Sequence, residues 1–153
     1  ATSPVACAPT SRDEAAAIAR SWWDDVWNGG ESGAASGLYT DHVVHHWGIG
    51  PDTTGRAAMA ARLAGLRDAF PDLTVTHGPL VQDGDYVAAT WVIHATQQGE
   101  HPSGIAPTGK PVTLEGIDLI RIECGRIAEI WTEMDAIGML RQLSVMPATP
   151  EAN

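Results

Sequence analysis

The chain is poor in the residues that staple a fold, span a membrane or draw a protein to polyanions. Its 153 residues include two cysteines, one phenylalanine, two tyrosines and nine lysines and arginines. Two cysteines cannot build a disulfide framework, and with Cys7 in a Pro/Ala/Thr-rich stretch and Cys124 in a turn, free thiols are expected. Nine bases against 19 acids leave a net charge of −10, which repels phosphate backbones and anionic lipid headgroups and argues against nucleic acid and membrane as partners. No apolar run approaches the roughly 20 residues of a spanning helix. A cytoplasmic protein is therefore expected, with secretion left open because the chain begins at Ala1 without a methionine.

What is present suits one globular domain. Apolar residues make up 44% of the chain and charged residues 18%, and this length buries roughly 70% of the surface exposed by the unfolded form. "ATSPVACAPT" has no period and two prolines, so residues 1–10 are expected as a disordered tail, 11–145 as the domain and 146–153 as a second flexible tail. Six tryptophans stand out beside so few other aromatics. They would serve either an aromatic-walled pocket or bulky core filling.

Helical signals come first. Ser11 and Glu14 form a capping-box pattern, and Ala15, Ile18, Ala19, Trp22 and Val26 follow at helical spacing, so a helix is predicted over 12–28 and stopped by Asn28-Gly29-Gly30. Ala34, Ala35, Leu38 and Tyr39 suggest a short second helix within 31–40. After a strand at "HVVHHW" and the loop "GIGPDTTG", Met59, Leu63, Leu66 and Phe70 mark a third helix that ends before Pro71. The remainder is rich in Val, Ile and Thr: "LTVTHGPLV", "DYVAATWVIHAT", "VTLEGIDLIRI" and "RIAEIWTEMD" read as an antiparallel meander. Helices before strands imply an α+β domain, its helices covering one face of a curved sheet.

The last strand raises the functional question. Alternation puts Glu129, Trp131, Glu133 and Asp135 on one face. A two-residue turn at Cys124-Gly125 would pair Glu123 with Arg126, Ile122 with Ile127, Ile120 with Glu129 and Asp118 with Trp131. That face grades from isoleucines to a tryptophan among acids, as the lining of a closed-ended pocket would. A filled core would instead leave the acids unpaired at a cost of several kcal/mol.

Other patterns are weaker. "DHVVHHW" packs three histidines into five residues, but in a strand His42 and His46 lie about 13 Å apart and His45 points the other way, so one metal cannot take all three. "GIAPTGKP" approaches a phosphate-binding loop but has Pro111 in place of the magnesium-binding hydroxyl, with a strand after it rather than a helix, so it reads as a turn. Trp47, Trp91 and Trp131 suit walls for a flat guest, His94 fits either wall or surface, and Asp118 and Glu129 suit either the pocket or an ion pair with Arg121 or Arg126.

In order, "WWDDVWN", "LYTDHVVHH", "AFPDL", "GDYVAATW", "GIAPTGKPV", "GIDLIRIECGRIAEIWTEMD" and "GMLRQL" resemble the SnoaL-like polyketide cyclases of the nuclear transport factor 2-like superfamily, over about residues 14–143. The resemblance implies a cone-shaped α+β barrel: about three N-terminal helices over a strongly bent antiparallel sheet, with a deep pocket between them. It implies an intramolecular aldol ring closure without metal or cofactor, an acid from the sheet moving the proton, and a small apolar or aromatic carbonyl-rich substrate. Asp135 best matches that acid by position, although it also stands where it would cap a terminal helix. His45 matches a frequent strand histidine able to hydrogen-bond a substrate carbonyl. Where many relatives carry Gly-Thr-His, this chain reads "ATQQGEHPSG", with Gln97 at the histidine position. An epoxide hydrolase-like or ketosteroid isomerase-like enzyme, or a non-catalytic binding protein, would use the same pocket. A dimer through an open-face patch of Ile117, Leu119 and Ile130 is also expected.

Overall fold

A computed structural model describes residues 6–30 and 37–147. The first helix begins where its cap is written: Ser11 Oγ accepts the Glu14 N–H at 3.2 Å, and α1 (Arg12–Ser21) carries Asp13 and Glu14 in its first turn and Arg20 in its last. It buries Ala15 and Ala19. The predicted helix then continues to Asn28 in π-helical form, Trp22–Asn28. At its end the Asn28 side chain acts as a strand partner, donating to Val75 O at 2.9 Å and accepting from Val75 N at 2.8 Å.

The second helix expected within 31–40 falls partly outside the described residues, and Tyr39 already opens a strand. That strand, β1 (Tyr39–His46), leads through the two-residue β2 (Thr53–Thr54) into α2 (Arg56–Ala69), which buries Met59, Leu63, Leu66 and Ala69. Then come β3 (Thr74–His77), β4 (Val81–Asp83), β5 (Tyr86–Thr96), β6 (Pro111–Glu123), β7 (Arg126–Met134) and α3 (Ala136–Gln142). The seven strands among the described residues form one curved sheet in the order β2-β1-β7-β6-β5-β3, with β4 also on β5. The α+β architecture is as expected, with two refinements: β1 runs parallel to β7, and one of the three helices is C-terminal.

The register of the last hairpin departs from the alternating one. Glu123 and Ile122 pair with Arg126 and Ile127 as expected, but Arg121 then pairs with Glu129, Ile120 with Ile130 and Asp118 with Thr132. Ala128 is the extra residue of a β-bulge, so Ile127 and Ala128 are both buried and every later side chain changes face. Ile130, Thr132 and Met134 turn toward the helices, and Glu129, Trp131 and Glu133 turn to the open face. The expected patch is broken for the same reason: Ile117 and Leu119 are exposed, whereas Ile130 is buried.

Nor are the cysteines the free thiols expected. Cys7 and Cys124 form a disulfide with Cα atoms 5.4 Å apart. Thr10 Oγ1 accepts the Gly125 N–H beside it at 3.2 Å, so the chain just before α1 is bound to the β6–β7 turn. Among the described residues no helix is long and apolar enough to cross a membrane.

Candidate active site

Between the sheet and the helices lies a cavity of about 60 Å³. That is room for a few waters, or for one end of a larger guest. Four of the six tryptophans line it: Trp23 and Trp27 from the π turn, Trp47 after β1 and Trp91 from β5. The polar side chains in the wall are Asp118, Thr132, Arg62 and His101.

Among the described residues Asp118 is the only carboxylate that lines the cavity, and it is 3% exposed. Its Oδ2 accepts from Trp22 Nε1 at 2.8 Å and Trp23 Nε1 at 3.0 Å, and its Oδ1 accepts from the Thr132 hydroxyl at 2.7 Å. Adjacent residues of a helix rarely aim at one atom. The wider π-helical turn lets Trp22 and Trp23 do so, and it sets Trp27, five residues on, edge-to-face with Trp22 at 5.6 Å. Burial pushes the Asp118 carboxyl above its ordinary 3.8, against the opposing pull of Thr132, Trp22, Trp91 and Trp23. Trp91 contributes without hydrogen-bond geometry, since its Nε1 has no partner among the described residues. Three neutral donors and no cation therefore hold a carboxylate of about four acceptor sites.

His45 stands behind this wall. Its Nε2 lies 2.8 Å from Thr132 Oγ1, and because that hydroxyl donates to Asp118, it accepts from His45. The ring proton is thus on Nε2 and Nδ1 is bare, which agrees with the lack of a partner at Nδ1. The ring stacks on Trp47 at 3.6 Å. Burial, then Arg62 and His46, push the His45 pKa down to about 3, so the imidazole is neutral near pH 7. His45, Thr132 and Asp118 form a continuous hydrogen-bonded chain ending in the cavity.

The family model for SnoaL-like polyketide cyclase matches residues 17–143. The chain belongs to this family. A candidate SnoaL-like polyketide cyclase from a Jannaschia species superposes with a TM-score of 0.80 at 19% identity, covering 93% of this chain and 99% of its own, and shares its fold. AclR, a candidate hydroxylase from Streptomyces galilaeus, gives 0.76 at 26% identity over 92% and 87% of the two chains. IdmH, a candidate polyketide cyclase from Streptomyces antibioticus, gives 0.68 at 28% identity over 85% and 98%. Among curated proteins none matches the sequence.

In this SnoaL-like chain the residues singled out from sequence separate into two groups. Trp47, Trp91 and Asp118 line the cavity, with His45 directly behind it. Four others are elsewhere. The bulge puts Trp131 on the open face, stacked on His46 at 5.4 Å. It also brings Glu129 opposite Arg121 at 3.2 Å, with His46 Nε2 at 2.8 Å, and these partners, His46 first, hold its carboxyl below the usual range. His94 is exposed beside Thr113. Asp135 is exposed and caps α3, its Oδ1 accepting the Gly138 N–H at 2.8 Å. The wall expected from Trp131 and Asp135 is therefore built by Asp118 and Thr132 instead.

Sequence reading missed Thr132, Arg62, His101 and the indole N–H groups of Trp22 and Trp23. Thr132 was hidden by the bulge and the tryptophans by the π turn. Gln97 has a legible role only in three dimensions. Its side chain donates to Ile105 O and Ala106 O at 3.1 Å and accepts from the Thr108 hydroxyl at 2.8 Å, fixing the loop that carries His101 to the cavity.

Proposed function

We propose that the protein is an acid/base catalyst of the cyclase type, with Asp118 moving the proton. The carrying observation is a lone buried carboxylate, held by neutral donors and raised in pKa, in the wall of an apolar cavity. In the ionised form Asp118 takes a proton from a carbon flanked by two carbonyls. The enolate attacks a second carbonyl of the same molecule, one carbon–carbon bond forms, and the new alkoxide recovers the proton from Asp118. Atoms balance within one substrate, so the step consumes no co-reactant. Raised basicity suits this role, since a carboxylate at its ordinary pKa is a weak base at neutral pH. The indole walls would stack a flat polyketide and, once it is bound, exclude water from the enolate.

Family membership and the likeness to IdmH support this class of reaction, although relatives on this fold also include a candidate hydroxylase. Hydrolysis would be favoured by an acid–arginine pair activating water, and Asp118 and Arg62 form no such pair among the described residues. The test follows proton exchange directly: a β-keto ester with aromatic substituents is incubated in D₂O and its α-proton followed by NMR. Catalysed exchange is expected for the parent and for Asp135→Asn, with a loss of at least about 100-fold in Asp118→Asn. Undiminished exchange in Asp118→Asn would overturn the assignment.

A further inference from the structure

The proton chemistry at Asp118 leaves Arg62 without a role. Four arginines are half-buried among the described residues. Three have polar partners: Arg56 meets Asp41 at 2.9 Å, Arg121 meets Glu129 at 3.2 Å, and Arg67 donates to the carbonyls of Val26 and Trp27. Arg62 has none among those residues, in a chain where 19 acids outnumber nine bases. Its guanidinium lies 4.9 Å from the centroid of Trp47, and its Nε is buried without an acceptor. This cation–π contact with Trp47 satisfies none of the five N–H donors of the head. Burial works against the charge, while the terminal nitrogens of the half-buried head are not among the buried unpartnered atoms and stay open to an acceptor.

Arg62 lies one helical turn before Leu66 on α2, and both line the cavity. His101 lines the same cavity, and its Nδ1 accepts the Ser103 N–H at 3.0 Å, which places the proton of the neutral ring on Nε2. That Nε2–H has no partner among the described residues. Two donor residues, one charged and one neutral, thus line a cavity where Asp118 is the single carboxylate among the described residues.

We propose that Arg62 and the Nε2–H of His101 form an anion-recognition subsite, so that the guest is an apolar or aromatic molecule carrying a carboxylate. This rests on reading the cavity as the reaction chamber. A guanidinium fork matches a carboxylate in a way that a neutral ester does not. The charges also orient the guest. Its anionic end pairs with Arg62, because a second anion beside Asp118 is repelled, and its neutral enolisable carbonyls are left facing Asp118.

The test uses ligands that do not react. Binding of 2-naphthoate and of the neutral 2-naphthamide is measured by calorimetry at pH 7 on the parent, Arg62→Met, Arg62→Lys and Asp118→Asn. The parent is expected to prefer the carboxylate by about tenfold or more, the yield of one charge-assisted hydrogen bond. Arg62→Met should lose the preference while keeping its affinity for the amide, and Arg62→Lys should restore part of it. Asp118→Asn, which removes a repelling charge, should keep or enlarge the preference, so a failure of the proton-transfer reading and a failure of this one are told apart. The proposal is overturned if the parent shows no preference, including the case in which no carboxylate binds, or if Arg62→Met retains it. Should Arg62→Met fail to fold by circular dichroism, the parent ratio and Arg62→Gln decide on the same terms.

Discussion

The smallest unit that carries the chemistry is the chain His45–Thr132–Asp118, and each member has a measurable signature. Thr132→Val keeps the shape of the side chain but removes a donor that favours the charged carboxylate. The Asp118 pKa should then rise further, and the rising limb of the pH–activity profile, which needs the ionised form, should move to higher pH. An unmoved limb would mean that Asp118 is not the titrating base. His45 acts on stability with a definite sign. Its folded pKa, about 3, lies below its ordinary 6.5, so the native state resists protonation. The stabilisation is complete above pH 6.5 and is lost as pH falls toward 3. His45→Gln, which keeps a donor for Thr132, should flatten that acid limb by an amount on the order of a few kcal/mol in urea titrations at pH 7 and pH 4. At this scale the sequence was partly legible. Asp118 was a candidate from its strand position and His45 from the family resemblance, whereas Arg62 and His101 read as ordinary helix and loop residues because their importance lies in partners that they lack.

Two irregular elements assemble the site. The β-bulge at Ala128 decides which half of β7 faces the cavity, and its trace is in the sequence. Ile127 and Ile130 are three apart, a spacing that a straight half-buried strand cannot bury on one face. The π turn leaves no such trace, since Trp22, Val26 and the preceding alanines fit an α-helical stripe equally well. A third device is an absence of side chain. Gly116 sits opposite Trp91 on β5, and a Cβ there would lie 2.3 Å from the indole ring and 2.5 Å from Glu133 O. Gly116→Ala should therefore displace Trp91 from the cavity wall, lowering stability by about 1–3 kcal/mol and changing tryptophan fluorescence. An unchanged spectrum and unfolding midpoint would show that the ring does not lie across β6.

Over the whole molecule, the fold class followed from helices preceding strands, and the motif order led to the right family. The disulfide did not follow, because Cys7 and Cys124 are 117 residues apart and only the docking of the first segment on the β6–β7 turn brings them together. Disulfides of this kind persist in oxidising compartments and are rare in the cytosol. Cys7→Ser should lower unfolding stability by about 2–5 kcal/mol through the freer unfolded chain, read as a shift in urea midpoint that a reducing agent reproduces in the parent and not in the variant. Identical midpoints would mean that the link does not form. The functional reading itself comes down to one ionisation. The ¹³C carboxyl signal of Asp118, assigned by its disappearance in Asp118→Asn, should titrate with a midpoint clearly above the ordinary 3.8. A midpoint at or below that value would mean that the cavity holds a stabilised, weakly basic anion, which would contradict proton transfer at this site.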